Sequence, residues 1–229
     1  MTLAEPKRIL RWHLIVIGVI ATVHTLVIIA AAAGHMNLYG LSRQFNLSEE
    51  SNIVTTIAAG ALVLGGVGAM LVSRLEARPA WRRGWLGASL CLFFMGLDEA
   101  AQVHELFSTI SLAWLTGRDQ TQNWVAIYLL ILFAAGVYFI NFWLSLPPGI
   151  KSGLALGGGI FVTSAVGLEI VEALLLRTYG VELYYQWAGQ FQLFVEEVGE
   201  MVGVAIINYT VARRLHALTP DGMTLQWGN

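Results

Sequence analysis

The segment AGQFQLFVEEVGEMVGVAIINYTV, residues 188–211, has the length and apolar character of a membrane-crossing helix, yet it holds Glu196, Glu197 and Glu200 and no lysine or arginine. About 20 residues of helix cross the roughly 30 Å of hydrocarbon in a bilayer. An ionised carboxylate at such depth costs about 2.5–3.5 kcal/mol or more. These side chains must therefore be protonated, hydrated in a cavity, or neutralised by a cation. The same tension recurs in two other apolar stretches, at Asp98, Glu99 and Glu105 and at Glu169 and Glu172, which makes eight acids in all.

Working outward from this segment, the 229-residue chain is 56% hydrophobic and 12% charged, and it falls into six apolar runs. Their approximate bounds are 9–33, 52–73, 85–114, 124–146, 152–176 and 188–211. The expected fold class is all-α, a polytopic bundle of six transmembrane helices forming a single domain over residues 1–229. Lys7, Arg8 and Arg11 precede the first run as they would in a signal peptide, but the run is long for that role and is read as a retained helix. A cytoplasmic N-terminus puts Lys7, Arg8, Arg11, Arg74, Arg78, Arg82, Arg83, Lys151, Arg213 and Arg214 inside and leaves only Arg43, Arg118 and Arg177 outside. Six crossings then return the C-terminus to the cytoplasm. The expected setting is a bacterial cytoplasmic (inner) membrane, with lipids as partners.

The net charge of −2 and the lack of a basic patch with interleaved aromatics argue against a nucleic-acid role. Cys91, the single cysteine, forms no intrachain disulfide and reads as a small apolar residue. The longest connection, about 34–51, has room for a short interfacial helix, and Pro147-Pro148-Gly149 reads as a compact turn. Trp124, Tyr179, Tyr184, Tyr185 and Trp187 at one boundary and Trp81, Trp85 and Trp143 at the other are expected to anchor the bundle at the interfaces. Gly60, Gly65, Gly66 and Gly68 in the second run, and Gly153, Gly157, Gly158 and Gly159 in the fifth, offer faces on which another helix can approach closely.

Depth and angle bring the acids together. The third run places Asp98 about 20 Å and Glu105 about 30 Å from its start, the fifth places Glu169 and Glu172 about 26–30 Å along, and the sixth places Glu196, Glu197 and Glu200 about 12–18 Å below the outer surface. His24 reaches the same level on the first run. At 100° per residue, Asp98, Gln102 and Glu105 fall within about 60°, as do Glu169 and Glu172, while Gln192, Glu196 and Glu200 form an i, i+4, i+8 stripe. Glu99 and Glu197 are offset from these stripes by about 100°, and His104 by about 120° on a continuous helix.

Carboxylates about one turn apart on facing helices are how helical bundles hold divalent metals. Asp98, Glu105, Glu169, Glu172, Glu196 and Glu200 are the expected ligands of one polar cavity, with Glu99, Glu197, His24 and His104 as further ligands or supports. Such a set suits iron or manganese, with zinc, calcium or magnesium as other options. The repeated Glu-x-x-Glu, at Glu169/Glu172 and Glu197/Glu200, resembles the ligand usage of ferritin-like di-iron carboxylate proteins, without their Glu-x-x-His. The resemblance extends to ligand types alone and implies a centre that is dinuclear at most. Three function classes follow. The first is a metal-dependent membrane enzyme, an oxidoreductase or hydrolase acting on an apolar or lipid-like small molecule. The second is a divalent-cation or proton transporter using the same acids as stations. The third is a non-catalytic subunit of a membrane complex. Polar residues are sparse in the inner half, which favours a one-sided site over a conduit. No nucleophile elbow, HExxH helix or Walker motif narrows the reaction further.

Overall fold

The computed structural model describes residues 5–35, 37–108 and 123–220, and among them there are helices and turns but no strand. Helix α1 spans Pro6–Ala32. A short 3-10 turn, Leu38–Gly40, and the five-residue α2, Leu41–Phe45, lie in the long connection that follows. Helices α3, Ile53–Leu75, and α4, Pro79–Ala101, form an antiparallel hairpin, and α5, Val103–Ser108, continues from α4 after a sharp break. Helix α6 is Asn123–Ser145. Helix α7, Pro148–Tyr179, comprises an α-helical part Pro148–Val162, a π-helical turn Thr163–Leu168 and a second α-helical part Glu169–Tyr179. A 3-10 segment, Gly180–Tyr185, leads into α8, Trp187–Leu218.

Local chemistry accounts for the ends. Proline sits in the first turn of α1, α4 and α7, where its missing N–H forfeits no intrahelical bond. For that reason Pro148 and Gly149 belong to α7 rather than to the turn before it, and α4 begins at Pro79 rather than near Trp85. Asn52 caps α3: its Oδ1 accepts from the Thr55 N–H at 2.9 Å, and its Nδ2 donates to the carbonyls of Asn46 and Glu49 at 2.9 and 2.7 Å. One buried amide thus fixes both the helix start and the loop above it.

Four helices, Pro6–Ala32, Ile53–Leu75, Val125–Ser145 and Pro148–Tyr179, are long and apolar enough to cross a membrane. Helices α4 and α8, of 23 and 32 residues, match them in length. Their charged residues, Asp98 and Glu99 in α4 and the three glutamates of α8, lower their apolar character. Helix α7 carries Glu169 and Glu172 and still keeps enough apolar character to count among the four.

Helix α8 is the axis of the bundle, with α1, α3 and α7 packed around it, while α6 leans on α4 and α5. One apolar core joins Leu62, Val72, Trp85, Leu92, Val204 and Val211, and a second joins Ile17, Ile20, Leu47, Val54, Met201 and Ala205. Trp85, expected at a membrane boundary, is instead fully buried and meets the edge of Phe142 with ring centroids 5.6 Å apart. Helix α4 begins a turn and a half earlier than its apolar run, which moves Trp85 into the interior. Trp81 is buried as well, donating to the Ser145 Oγ at 3.0 Å beneath the guanidinium of Arg214, which also pairs with the buried Glu76.

The tightest crossing joins α7 to α8. A Cβ on Gly157 would lie 2.9 Å from the Gly203 carbonyl oxygen, and one on Gly203 would lie 2.8 Å from the Gly157 oxygen. In α3, Gly65 and Gly66 face Asn208 and Phe93 in the same manner, whereas Gly60, Gly158 and Gly159 have nothing within 4 Å. Only part of each glycine-rich face is used for packing. Gly203→Leu should therefore destabilise the protein by about 1–3 kcal/mol or more through overpacking, read as a lowered unfolding temperature in detergent. Gly158→Leu, with open space before it, should leave that temperature unchanged.

Candidate functional site

The acids of α7 and α8 meet because α7 is not a regular helix. The π turn at Thr163–Leu168 inserts one residue, and each residue rotates the helix that follows by about 100°. Glu169 and Glu172 follow the insertion directly and turn toward α8. Carboxylate oxygens of Glu169, Glu172 and Glu196 all lie within 4.8 Å of one another. Glu172 and Glu196 are buried and Glu169 is partly so. The glycine run of the same helix remains α-helical, and the distortion begins one turn beyond it.

Gln192 closes this group from one turn before Glu196. Its Nε2 donates to the Glu196 Oε2 at 2.6 Å and to the Leu168 carbonyl, inside the π turn, at 3.3 Å. With the amide nitrogen spent on two acceptors, the Oε1 is left buried with no hydrogen-bond partner among the described residues. A buried acceptor without a donor costs about 1–3 kcal/mol. Three carboxylates and an amide oxygen form a set of hard oxygen donors that a divalent cation would satisfy.

A second grouping forms at the end of α4. Gln102 adopts a left-handed conformation, φ 54° and ψ 44°, and ends the helix. The chain doubles back, so the His104 N–H donates to the Asp98 Oδ1 at 2.7 Å and the His104 Nδ1 lies 3.2 Å from the same oxygen. Tyr128 of α6 donates to the other Asp98 oxygen at 2.9 Å, and the His104 Nε2 lies 3.6 Å from Glu50. His104, offset by about 120° on a continuous helix, is here the direct partner of Asp98 because the helix does not continue. The expected third run to residue 114 is replaced by two helices, and residues 109–122 lie outside the described ones.

Glu99, Glu197 and Glu200 form a third grouping, beside a cleft that all three line. Glu197 stands within electrostatic reach of Glu99, Glu50, Glu169 and Glu172, and Glu200 within reach of Glu197, Glu99, Glu196 and Glu169. The three groupings therefore share one negative potential. The stripe expected from Gln192, Glu196 and Glu200 divides: Gln192 and Glu196 address α7, while Glu200 joins Glu197 at the cleft.

His24 lies apart from the acids. Its Nδ1 accepts the Leu47 N–H at 3.2 Å and its ring stacks on Phe194, which pins the long connection against α1 and α8. Glu105 falls on α5, and its side chain lies outside the described residues. Sequence reasoning passed over Glu50 and Tyr128. Glu50 sits in a polar loop with no periodicity, and Tyr128 reads as an interfacial aromatic.

No curated protein and no solved structure matches this chain. A family model does match, over residues 13–214, and that span takes in α3, α4, α6, α7 and every acid described above. The chain belongs to the family described as a domain of unknown function, DUF8692.

Proposed function

We propose that this protein is a six-crossing membrane protein that holds a divalent metal ion between α7 and α8, ligated by Glu169, Glu172 and Glu196 with the Gln192 amide oxygen beside them. The observation that carries the reading is the convergence of three carboxylates from two helices to within 4.8 Å, next to a buried amide oxygen that lacks a donor. The described ligands are all oxygen, with His24 and His104 engaged elsewhere, and such a set suits manganese or iron, or magnesium, better than zinc. The spanning lengths of α4 and α8 support crossings by both, and the basic residues support a cytoplasmic location for the two termini.

The activity best matched to this site is that of a metal-dependent membrane enzyme acting on an apolar or lipid-like molecule. A bound ion would polarise a substrate oxygen or activate water. Beside it, Gln192 orients Glu196 through its amide N–H. The convergence of Glu169, Glu172 and Glu196 within 4.8 Å supports a site rather than a string of stations.

Protein purified into nanodiscs should retain about one equivalent of manganese or iron by elemental analysis. Glu196→Gln should abolish that binding, and Gln192→Leu should weaken it roughly 10–100-fold, as loss of a ligand-supporting partner does. Because carboxylates must be deprotonated to ligate, acidification should release the ion. Metal content in the wild type no higher than in Glu196→Gln would overturn the reading.

A further inference from the structure

Between α1 and α3 lies a cleft of about 270 Å³, and its shape and lining go beyond what a metal site needs. Both helices pack on α8 rather than closing on one another, and the cleft occupies the gap. Its walls are apolar, formed by Ile17, Ala58, Leu62, Phe161, Met201 and Val204. At its rim Trp12 and Leu64 are 56% and 55% exposed, on helices apolar enough to lie in a membrane, so the opening faces the lipid side of the bundle. Asn208 sets one end, donating to the Ala61 carbonyl at 2.9 Å and to the His13 Nε2 at 3.0 Å. The other end is Glu99, Glu197 and Glu200.

Those three carboxylates are partly buried, line the cleft, and have neither a hydrogen bond nor an ion pair among the described residues. Among the described residues that line the cleft there is no lysine or arginine, and His13 lies at the Asn208 end. Among the described residues these three carboxylates do not converge within 4.8 Å as Glu169, Glu172 and Glu196 do, so they are less suited to a bare metal ion. A head that fits here is cationic and presents several N–H donors, and a primary ammonium has three. A quaternary ammonium would want an aromatic cage, and the acids have none around them. The apolar walls call for a hydrocarbon chain, and the lipid-side opening lets it enter from the bilayer.

We propose that this cleft binds a single-chain amphiphile with a primary-amine head, the ammonium seated at Glu99, Glu197 and Glu200 and the chain lying between α1 and α3. The inference stands on the cleft alone and does not require the metal. Given the metal, it names the substrate class, because the head would rest beside the ligand group of α7 and α8.

Gly60 supplies the decisive variant. It lines the cleft, and a Cβ built on it meets nothing within 4 Å, so a side chain there starts out into open space. Dodecylamine should raise the unfolding temperature of the protein in phosphatidylcholine nanodiscs, as any ligand of the folded state does. Dodecanol and dodecyltrimethylammonium should not. Gly60→Phe should keep the unliganded unfolding temperature and lose the response, and Glu200→Gln should weaken it at least roughly tenfold, in line with loss of a charged hydrogen bond. Equal stabilisation by dodecanol or by the trimethylammonium analogue would overturn the head assignment. An undiminished response in Gly60→Phe would overturn the cleft as the site. A second metal equivalent that disappears in Glu200→Gln would assign these acids to an ion instead. Amine binding that persists in metal-free Glu196→Gln separates this inference from the metal reading.

Discussion

Negative charge in an apolar bundle is the constraint on which the rest of this structure turns. Each carboxylate of α4, α7 and α8 loses water when the helices pack, and none of those stretches brings a basic residue of its own among the acids. Helices α4 and α8 belong in the bundle only if that charge is answered. The protein answers part of it with its own groups: Asp98 accepts from His104 and Tyr128, and Glu196 accepts from Gln192. For Glu99, Glu197 and Glu200 no such partner is found among the described residues.

Two local departures from helical regularity distribute these acids. The π turn in α7 rotates Glu169 and Glu172 onto α8, and the left-handed Gln102 turns His104 back onto Asp98. The left-handed Gln102 stores strain of order 1 kcal/mol that packing must offset. In α7 the Gly157–Gly203 crossing brings the backbones close enough to fix the register of the two helices before the π turn begins. Departures of this kind gather at functional sites, and here both stand immediately beside an acid.

The all-helical character, the apolar runs and the acids were legible from the sequence because each depends on composition along one segment. The angular relations were legible only as far as the helices stay regular. Glu169 and Glu172 were read correctly as neighbours, since one turn separates them on an unbroken stretch. His104 was placed too far from Asp98 because nothing in LDEAAQVHE marks Gln102 as a helix terminus; glutamine is an ordinary helix former and a glycine would have been the usual signal. Trp85 reads as an anchor because its apolar run starts there, whereas Pro79 starts the helix earlier. Glu50 and Tyr128 reach Asp98 and His104 only through tertiary contact, which no periodicity records.

Adjacent residues of α8 serve different neighbours. Glu196 follows Gln192 by one turn and looks toward α7, while Glu197 is rotated by about 100° and looks into the cleft with Glu200, one turn further on. A regular helix thus divides its acids between a compact group suited to a small ion and a wider group beside an apolar space. The two remain coupled through a low-dielectric interior, where charges a few ångströms apart interact several times more strongly than in water. A cation entering either group lowers the cost of leaving the other ionised. Occupancy of the proposed ion site and of the proposed amine site would then be linked by electrostatics alone: each cation helps to keep the other group's carboxylates ionised and at the same time repels the other cation, and the net coupling is the same in both directions.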